Sequence, residues 1–374
     1  FFAVLVATIN FGVFAYIENK FGEDYASEHY LNPHQINITK SSDTKNLVMI
    51  YVESLERGYD NPNSFKENLL SSIESIDGQS FPKYAQVSGT GWTMASIVAT
   101  QCALPLKFLY IGEPNTQGEQ VKTIMRHAPC LGNTLKQYGY QNIFMNGGDI
   151  NYAGKAKFLE EHGFNEIIGS QRWKNDPSFS DADFNDWGLN DDRLLEEAKK
   201  EFLRLEKTHK PFNLTVLTVN THFPKGYFSQ SMINHGAQSY QDIVRETSIE
   251  LSDFIKFVQD KDPKNTLIVV IGDHLTMPNP VYNKLQKPRY IFNRWYGKDI
   301  PKITREEIVH LDIAPSTLEL LGFNLPEGRY GMGYSGFNPQ VKLKDPHRIK
   351  NLNHHLLNDS IVYVESWEDI PADE

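Results

Sequence analysis

The pair Asp273-His274 closes an apolar run, Thr266-Leu267-Ile268-Val269-Val270-Ile271-Gly272, and sets a carboxylate oxygen beside an imidazole nitrogen. That donor set suits Zn2+ or Mn2+ better than Ca2+, which prefers oxygen alone. A second apolar run, 46–52, ends at Glu53, and a third, 212–219, leads into Asn220-Thr221-His222. Singly these are ordinary, because Asp caps turns and a strand-end Glu is commonly solvated. Together they are what a catalytic metal site requires. Thr93 is the candidate nucleophile. In Ser88-Gly89-Thr90-Gly91-Trp92-Thr93-Met94-Ala95-Ser96 a glycine-containing loop enters an apolar stretch with helical potential. Its hydroxyl therefore falls near a helix N-terminus, where free N–H groups and the dipole favour negative charge. Held also by a divalent metal, such a hydroxyl becomes nucleophilic at neutral pH. Without other motifs a plain capping threonine is the favoured reading of Thr93; once further motifs are added, Thr93 is preferred as nucleophile over its rival Thr90.

These residues need elements to position them. Residues 46–52, 141–146, 212–219 and 266–271 are short continuous apolar runs, as expected of strands buried on both faces. Between them, 68–76, 131–138, 156–162, 191–206 and 240–258 have helical character. Strands alternating with amphipathic helices predict an α/β domain with a mostly parallel sheet. In such sheets ligands bind beyond the carboxyl ends of the strands, where Glu53, Asn146-Gly147-Gly148-Asp149, His222 and Asp273-His274 fall.

The rest of the chain bounds the function. It has 374 residues, 40% of them hydrophobic and 22% charged, enough for one large core without extensive disorder. A formal net charge of -10 argues against a nucleic-acid partner and against broad adhesion to anionic lipid. Residues 1–17 are apolar on all sides, and a spanning helix needs about 20 such residues. The reading is the end of a transmembrane helix over 1–20, a juxtamembrane connector over 21–45, a catalytic domain over 46–340 and a C-terminal extension over 341–374. Cys102 and Cys130 are expected to be joined if that anchor places the domain in an oxidising compartment. His127, His235 and His310 show no strand-end context. His354 and His355 are read as solvated, and for Tyr282, Tyr290, Phe292 and Trp295 core packing is the commoner reading, with the lining of a lipid or sugar site as the alternative.

The order Val52-Glu53-Ser54, Gly91-Trp92-Thr93-Met94-Ala95-Ser96, Thr221-His222-Phe223-Pro224 and Gly272-Asp273-His274 resembles the branch of the alkaline-phosphatase superfamily containing lipoteichoic-acid synthases and phosphoethanolamine transferases. Within it, the resemblance is to phosphoglycerol transferases that decorate osmoregulated periplasmic glucans, and it runs from about 46 to 337. Asp186-Trp187-Gly188-Leu189-Asn190-Asp191-Asp192 and the stretch 311–322 support it. The resemblance implies an alkaline-phosphatase/sulfatase-like fold and one divalent ion, Mn2+ before Zn2+ or Mg2+, on Glu53, Thr93, Asp273 and His274. It implies Thr93 as nucleophile, with His222 beside the transferred group. It implies phosphatidylglycerol as donor, a periplasmic glucan as acceptor and an inner-membrane enzyme whose catalytic domain is periplasmic. Lipoteichoic-acid relatives carry Trp-x-Arg where this chain has Ala153 and Lys155. Lys155 keeps the charge but loses the guanidinium fork, so it would hold phosphate as a point charge, and an exposed helix-start lysine is an equal alternative. Sulfatases of this fold need Cys or Ser followed by x-Pro-x-Arg, and Thr93-Met94-Ala95-Ser96-Ile97 lacks both, which disfavours sulfate ester hydrolysis. A phosphoethanolamine transferase, a phosphodiesterase and an inactive glycan-binding module remain as alternatives.

Overall fold

A computed structural model describes residues 19–41, 45–108 and 112–367. The apolar run 1–17 lies outside them, and no helix of the described residues is long and apolar enough to cross a membrane.

A six-stranded sheet forms the centre. Its strands are β1 (Asn46–Val52), β2 (Gln141–Asn146), β3 (Glu166–Ile168), β4 (Phe212–Leu217), β5 (Thr266–Gly272) and β6 (Asn293–Tyr296), in spatial order β6-β5-β1-β4-β2-β3. All neighbours are parallel except the edge pair β5–β6. Besides shorter helical segments, the helices packed around the sheet are α1 (Thr93–Cys102), α2 (Leu131–Gln137), α3 (Lys155–Glu161), α4 (Asp191–Glu206), α5 (Tyr240–Lys261), α6 (Ile313–Leu320), α7 (Arg348–His355) and α8 (Ile361–Trp367).

The strand pattern follows from two-sided burial. Along β1, Leu47, Met49 and Tyr51 enter one core, while Val48, Ile50 and Val52 enter the other. Side chains alternate across a strand, so a strand covered on both faces must be apolar throughout. The first core is closed by α1, α2, α3 and α6, and the second by α4 and α5. The sheet is thus sandwiched between helical layers, the alkaline-phosphatase/sulfatase-like α/β arrangement, with one antiparallel edge strand.

The flanking segments join this body. Tyr25 and Ala26 are buried in the first core, and the Tyr25 hydroxyl donates to Asp345 Oδ2 at 2.7 Å. Thr39–Lys40 pairs with Phe323–Asn324. From α7, the buried Arg348 guanidinium donates to both oxygens of buried Asp312, each at 2.8 Å. Cys102, ending α1, and Cys130, preceding α2, form a disulfide.

Candidate active site

Register brings the first two groups together. β1 pairs with β5 so that Val52 faces Gly272, which sets Glu53 and Asp273 side by side just past the sheet edge. The backbone there is tight. A Cβ on Gly272 would lie 2.0 Å from the Leu55 carbonyl oxygen, so only glycine fits before Asp273. On the other side of β1, the Glu53 N–H donates to Thr218 Oγ1 at 3.1 Å, tying the end of β4 to the same point.

Ser54 links the two carboxylates. Its N–H donates to Asp273 Oδ1 and its hydroxyl to Glu53 Oε1, both at 2.7 Å. It adopts φ of 53°, a left-handed conformation costing a non-glycine residue about 1 kcal/mol. His274 donates its backbone N–H to Asp273 Oδ1 at 2.8 Å. Its Nδ1 pairs with the Leu275 carbonyl at 3.0 Å, which directs Nε2 toward the carboxylates, 3.6 Å from Glu53 Oε1 and 3.4 Å from Asp273 Oδ2. Thr93, first residue of α1, donates its hydroxyl to Glu53 Oε2 at 3.3 Å.

This group fits a divalent cation. Glu53, Asp273 and His274 are buried and offer ligand atoms all within 4.8 Å of one another. Asp273 Oδ2 is buried without a hydrogen-bond partner, an expensive state unless a cation meets it. Burial, then the adjacent Glu53 carboxylate, push the Asp273 carboxyl up to about 6. Burial alone would lower His274, but Asp273 and Glu53 outweigh it and raise it. Crowded anions and an orphaned oxygen are what a positive charge would relieve.

His222 and Lys155 line the same cavity of about 860 Å3, together with Glu53, Thr93 and His274. His222 follows β4, pairs its Nδ1 with the Phe223 carbonyl at 2.6 Å, and lies against Trp187 with ring centroids 4.0 Å apart. Burial keeps its pKa below the ordinary value, so the neutral ring has Nε2 left for a substrate oxygen. Lys155 opens α3 but is buried rather than exposed, with Nζ donating to the Tyr152 carbonyl at 2.9 Å. Burial lowers its pKa to about 8. Thr90, the rival nucleophile, is spent on its own turn, donating to the Val87 carbonyl at 2.8 Å.

Several supporting residues were not read from the sequence. His310 was expected to lack strand-end context; it directly follows the short strand Glu307–Val309, is fully buried, and pairs its Nε2 with the Asp273 carbonyl at 2.7 Å. Buried Glu56 forms an ion pair with Arg289, whose Nε lies 2.9 Å from Oε2, and also accepts the Thr276 N–H at 2.8 Å, clasping the loop after His274. Asp191 accepts the N–H groups of Val219 and Asn220 at 2.7 and 3.0 Å, fixing the turn that carries His222. A strand followed by His was a usable signal for His310. The other contacts join residues far apart in the chain, with no local pattern to mark them.

Known proteins share this scaffold. The chain is 34% identical over 291 residues to phosphoglycerol transferase I of Xanthomonas campestris pv. campestris, a match covering 74% of this chain and 41% of that protein. Phosphoglycerol transferase I of Salmonella paratyphi B is 36% identical over 255 residues, covering 65% and 32%. The chain thus spans less than half the length of the curated relatives it matches. Among solved structures, an alkaline-phosphatase-superfamily protein from Vibrio parahaemolyticus aligns with TM-score 0.64 and 22% identity, covering 89% of this chain and 82% of that one. The lipoteichoic acid synthase LtaP from Listeria monocytogenes aligns with TM-score 0.61 and 15% identity, covering 82% and 79%. These two likenesses establish the fold. The family model described as Sulfatase matches residues 45–323, and the chain belongs to that family.

Proposed function

We propose that the chain is the catalytic part of a phosphoglycerol transferase that moves phosphoglycerol from phosphatidylglycerol to a periplasmic glucan, releasing diacylglycerol. One observation carries the reading: the Thr93 hydroxyl, at a helix N-terminus, touches Glu53 within the buried cluster of Glu53, Asp273 and His274. The names of the curated relatives supply the transferred group.

Glu53, Thr93, Asp273 and His274 would hold one divalent ion, Mn2+ in preference to Zn2+ or Mg2+, supplying Lewis-acid charge that lowers the hydroxyl pKa and neutralises phosphoryl oxygens. The chain's own groups do the rest. Thr93 Oγ1 gives up its proton along the hydrogen bond to Glu53 and bonds to phosphorus as the phosphorus–oxygen bond to the lipid breaks, and that proton ends on the released diacylglycerol oxygen. The first-turn N–H groups of α1 face the developing negative charge. Lys155, positive at neutral pH, holds a phosphoryl oxygen. A sugar hydroxyl then displaces Thr93, neutral His222 takes its proton through Nε2, and a proton returned to Thr93 Oγ1 restores the starting state.

Hydrolysis of sulfate esters is not the favoured reading despite the family's description, because no Pro or Arg follows Thr93 in the required places. The apolar run 1–17 is read as an anchor that keeps the enzyme at the bilayer holding its donor, with the catalytic domain in the periplasm. The test is product analysis after incubation with lipids differing only in head group. Phosphatidylglycerol alone should yield diacylglycerol, and added glucan should acquire phosphoglycerol. Preference for phosphatidylethanolamine, or free glycerol phosphate as sole product with glucan present, would refute the assignment.

A further inference from the structure

The outer part of the cavity carries groups that phosphoryl chemistry does not use. Phe21, Tyr152, Ile233, Leu343 and Ile361 are the exposed large hydrophobic residues among those described, and of these only Tyr152 lines the cavity. It is 39% exposed and meets Trp187 edge-on, with ring centroids 5.6 Å apart at 78°. Trp187 in turn lies over His222. An aromatic shelf therefore runs from the mouth of the cavity to the imidazole.

The shelf is held rigidly. Ala153 adopts φ of 57°, and its N–H donates to Glu119 Oε1 at 3.2 Å. The short helix Pro114–Gln120 presses on this turn so closely that a Cβ on Gly118 would sit 2.3 Å from the Ala153 carbonyl oxygen. The Lys155 ammonium lies 5.0 Å from the Tyr152 ring centroid, coupling the shelf to the phosphate-holding group. Fixed aromatic faces give contact area at small entropic cost.

The neighbouring wall selects among ligands. Asp149, Asp186 and Glu119 contribute carboxylates, Asn151 and Gln171 amides, and Lys157 and Lys174 ammoniums, while Lys225 pairs with Asp186 at 3.5 Å. The carboxylates and ammoniums nearly balance, so the wall offers no cationic patch for a second anionic lipid head group. So many polar groups also leave no continuous apolar wall for acyl chains. A pyranose fits, because its C–H face packs on an aromatic ring while its hydroxyls pair with carboxylates and amides.

We propose that Tyr152 and Trp187, with Asp149 and Asp186 beside them, form the acceptor subsite, which binds a sugar unit of a neutral glycan and presents its hydroxyl to His222. This rests on the transferase reading and adds where the acceptor sits and what recognises it.

The test uses the full chain as Thr93→Ala, loaded with Mn2+, so that ligands bind without turnover. Calorimetric titrations with a neutral β-glucan oligosaccharide and with sn-glycerol 1-phosphate are run in parallel. The oligosaccharide should bind, and Tyr152→Ala should weaken it roughly tenfold, the loss of one good aromatic contact. Tyr152→Phe, which keeps the ring, should restore most of that affinity. Equal oligosaccharide affinity in Tyr152→Ala overturns the subsite. So does glycerol phosphate binding without any oligosaccharide binding, although the transferase reading then survives. If neither ligand binds, both fall.

Discussion

Ser54 shows how much of the centre depends on a residue without chemistry of its own. By donating to both Glu53 and Asp273 it fixes two carboxylates that would otherwise repel each other apart. Lys155 is the complementary case, a cation kept in place by burial at the cost of its proton. Because burial lowers its pKa to about 8, it is charged below that value and neutral above it. Donor kcat/KM, which reports the free enzyme, should therefore fall as pH rises through about 8, by up to roughly tenfold per unit. Lys155→Arg should flatten that limb, since a guanidinium stays protonated. A pH–rate profile in which the arginine variant falls as the parent does would remove Lys155 from phosphate binding. Glu53, Thr93, Asp273 and His274 were legible because each follows a hydrophobic run or glycine-rich loop that marks a strand end or helix start. Ser54, Glu56 and Asp191 were not, because their partners are set by three-dimensional packing.

At the scale of elements, the four long apolar runs became β1, β2, β4 and β5, and the stretch 191–206 became α4 with the expected bounds. Strand β4 ends at Leu217, two residues before the end read from hydrophobicity, because the N–H groups of Val219 and Asn220 leave the sheet and donate to Asp191. The edge strands β3 and β6 escaped notice. One has three residues, and the other reads Asn293-Arg294-Trp295-Tyr296, whose polar members are tolerated because an edge strand is paired on one side alone. The expectation of a joined Cys102 and Cys130 is met. The bond closes a 28-residue separation between α1, which carries Thr93, and α2, and the enclosed chain includes the helix that braces Ala153. Cys102→Ala/Cys130→Ala should lose about 3–4 kcal/mol of unfolding free energy in denaturant titrations. A loss below about 1 kcal/mol would show that packing alone holds the loop.

For the whole molecule, composition and charge argue against nucleic-acid binding and extensive disorder, yet say little about the polar ends. Residues 21–45 read as a juxtamembrane connector and the tail after 341 as a C-terminal extension, and their described parts pack on the main core through Tyr25, Asp345 and Arg348. Burial is invisible in sequence when a segment contributes one or two core residues rather than a periodic face. Arg348→Ala should cost about 3 kcal/mol, since it leaves buried Asp312 short of one of its two arginine partners, the other being Arg305 at 3.1 Å. Unchanged stability in melts of the metal-loaded protein would mean that the tail docks without supporting the domain.

The central claim is that Thr93 becomes covalently loaded inside the cluster it shares with Glu53, Asp273 and His274. Rapid acid quenching of the chain with phosphatidylglycerol and Mn2+, followed by peptide mass analysis, reads this directly. The phosphoglyceryl group should appear on the peptide containing Thr93, and it should vanish when the metal is chelated or in Asp273→Ala. An adduct on another residue, or sustained diacylglycerol release by Thr93→Ala, would contradict it.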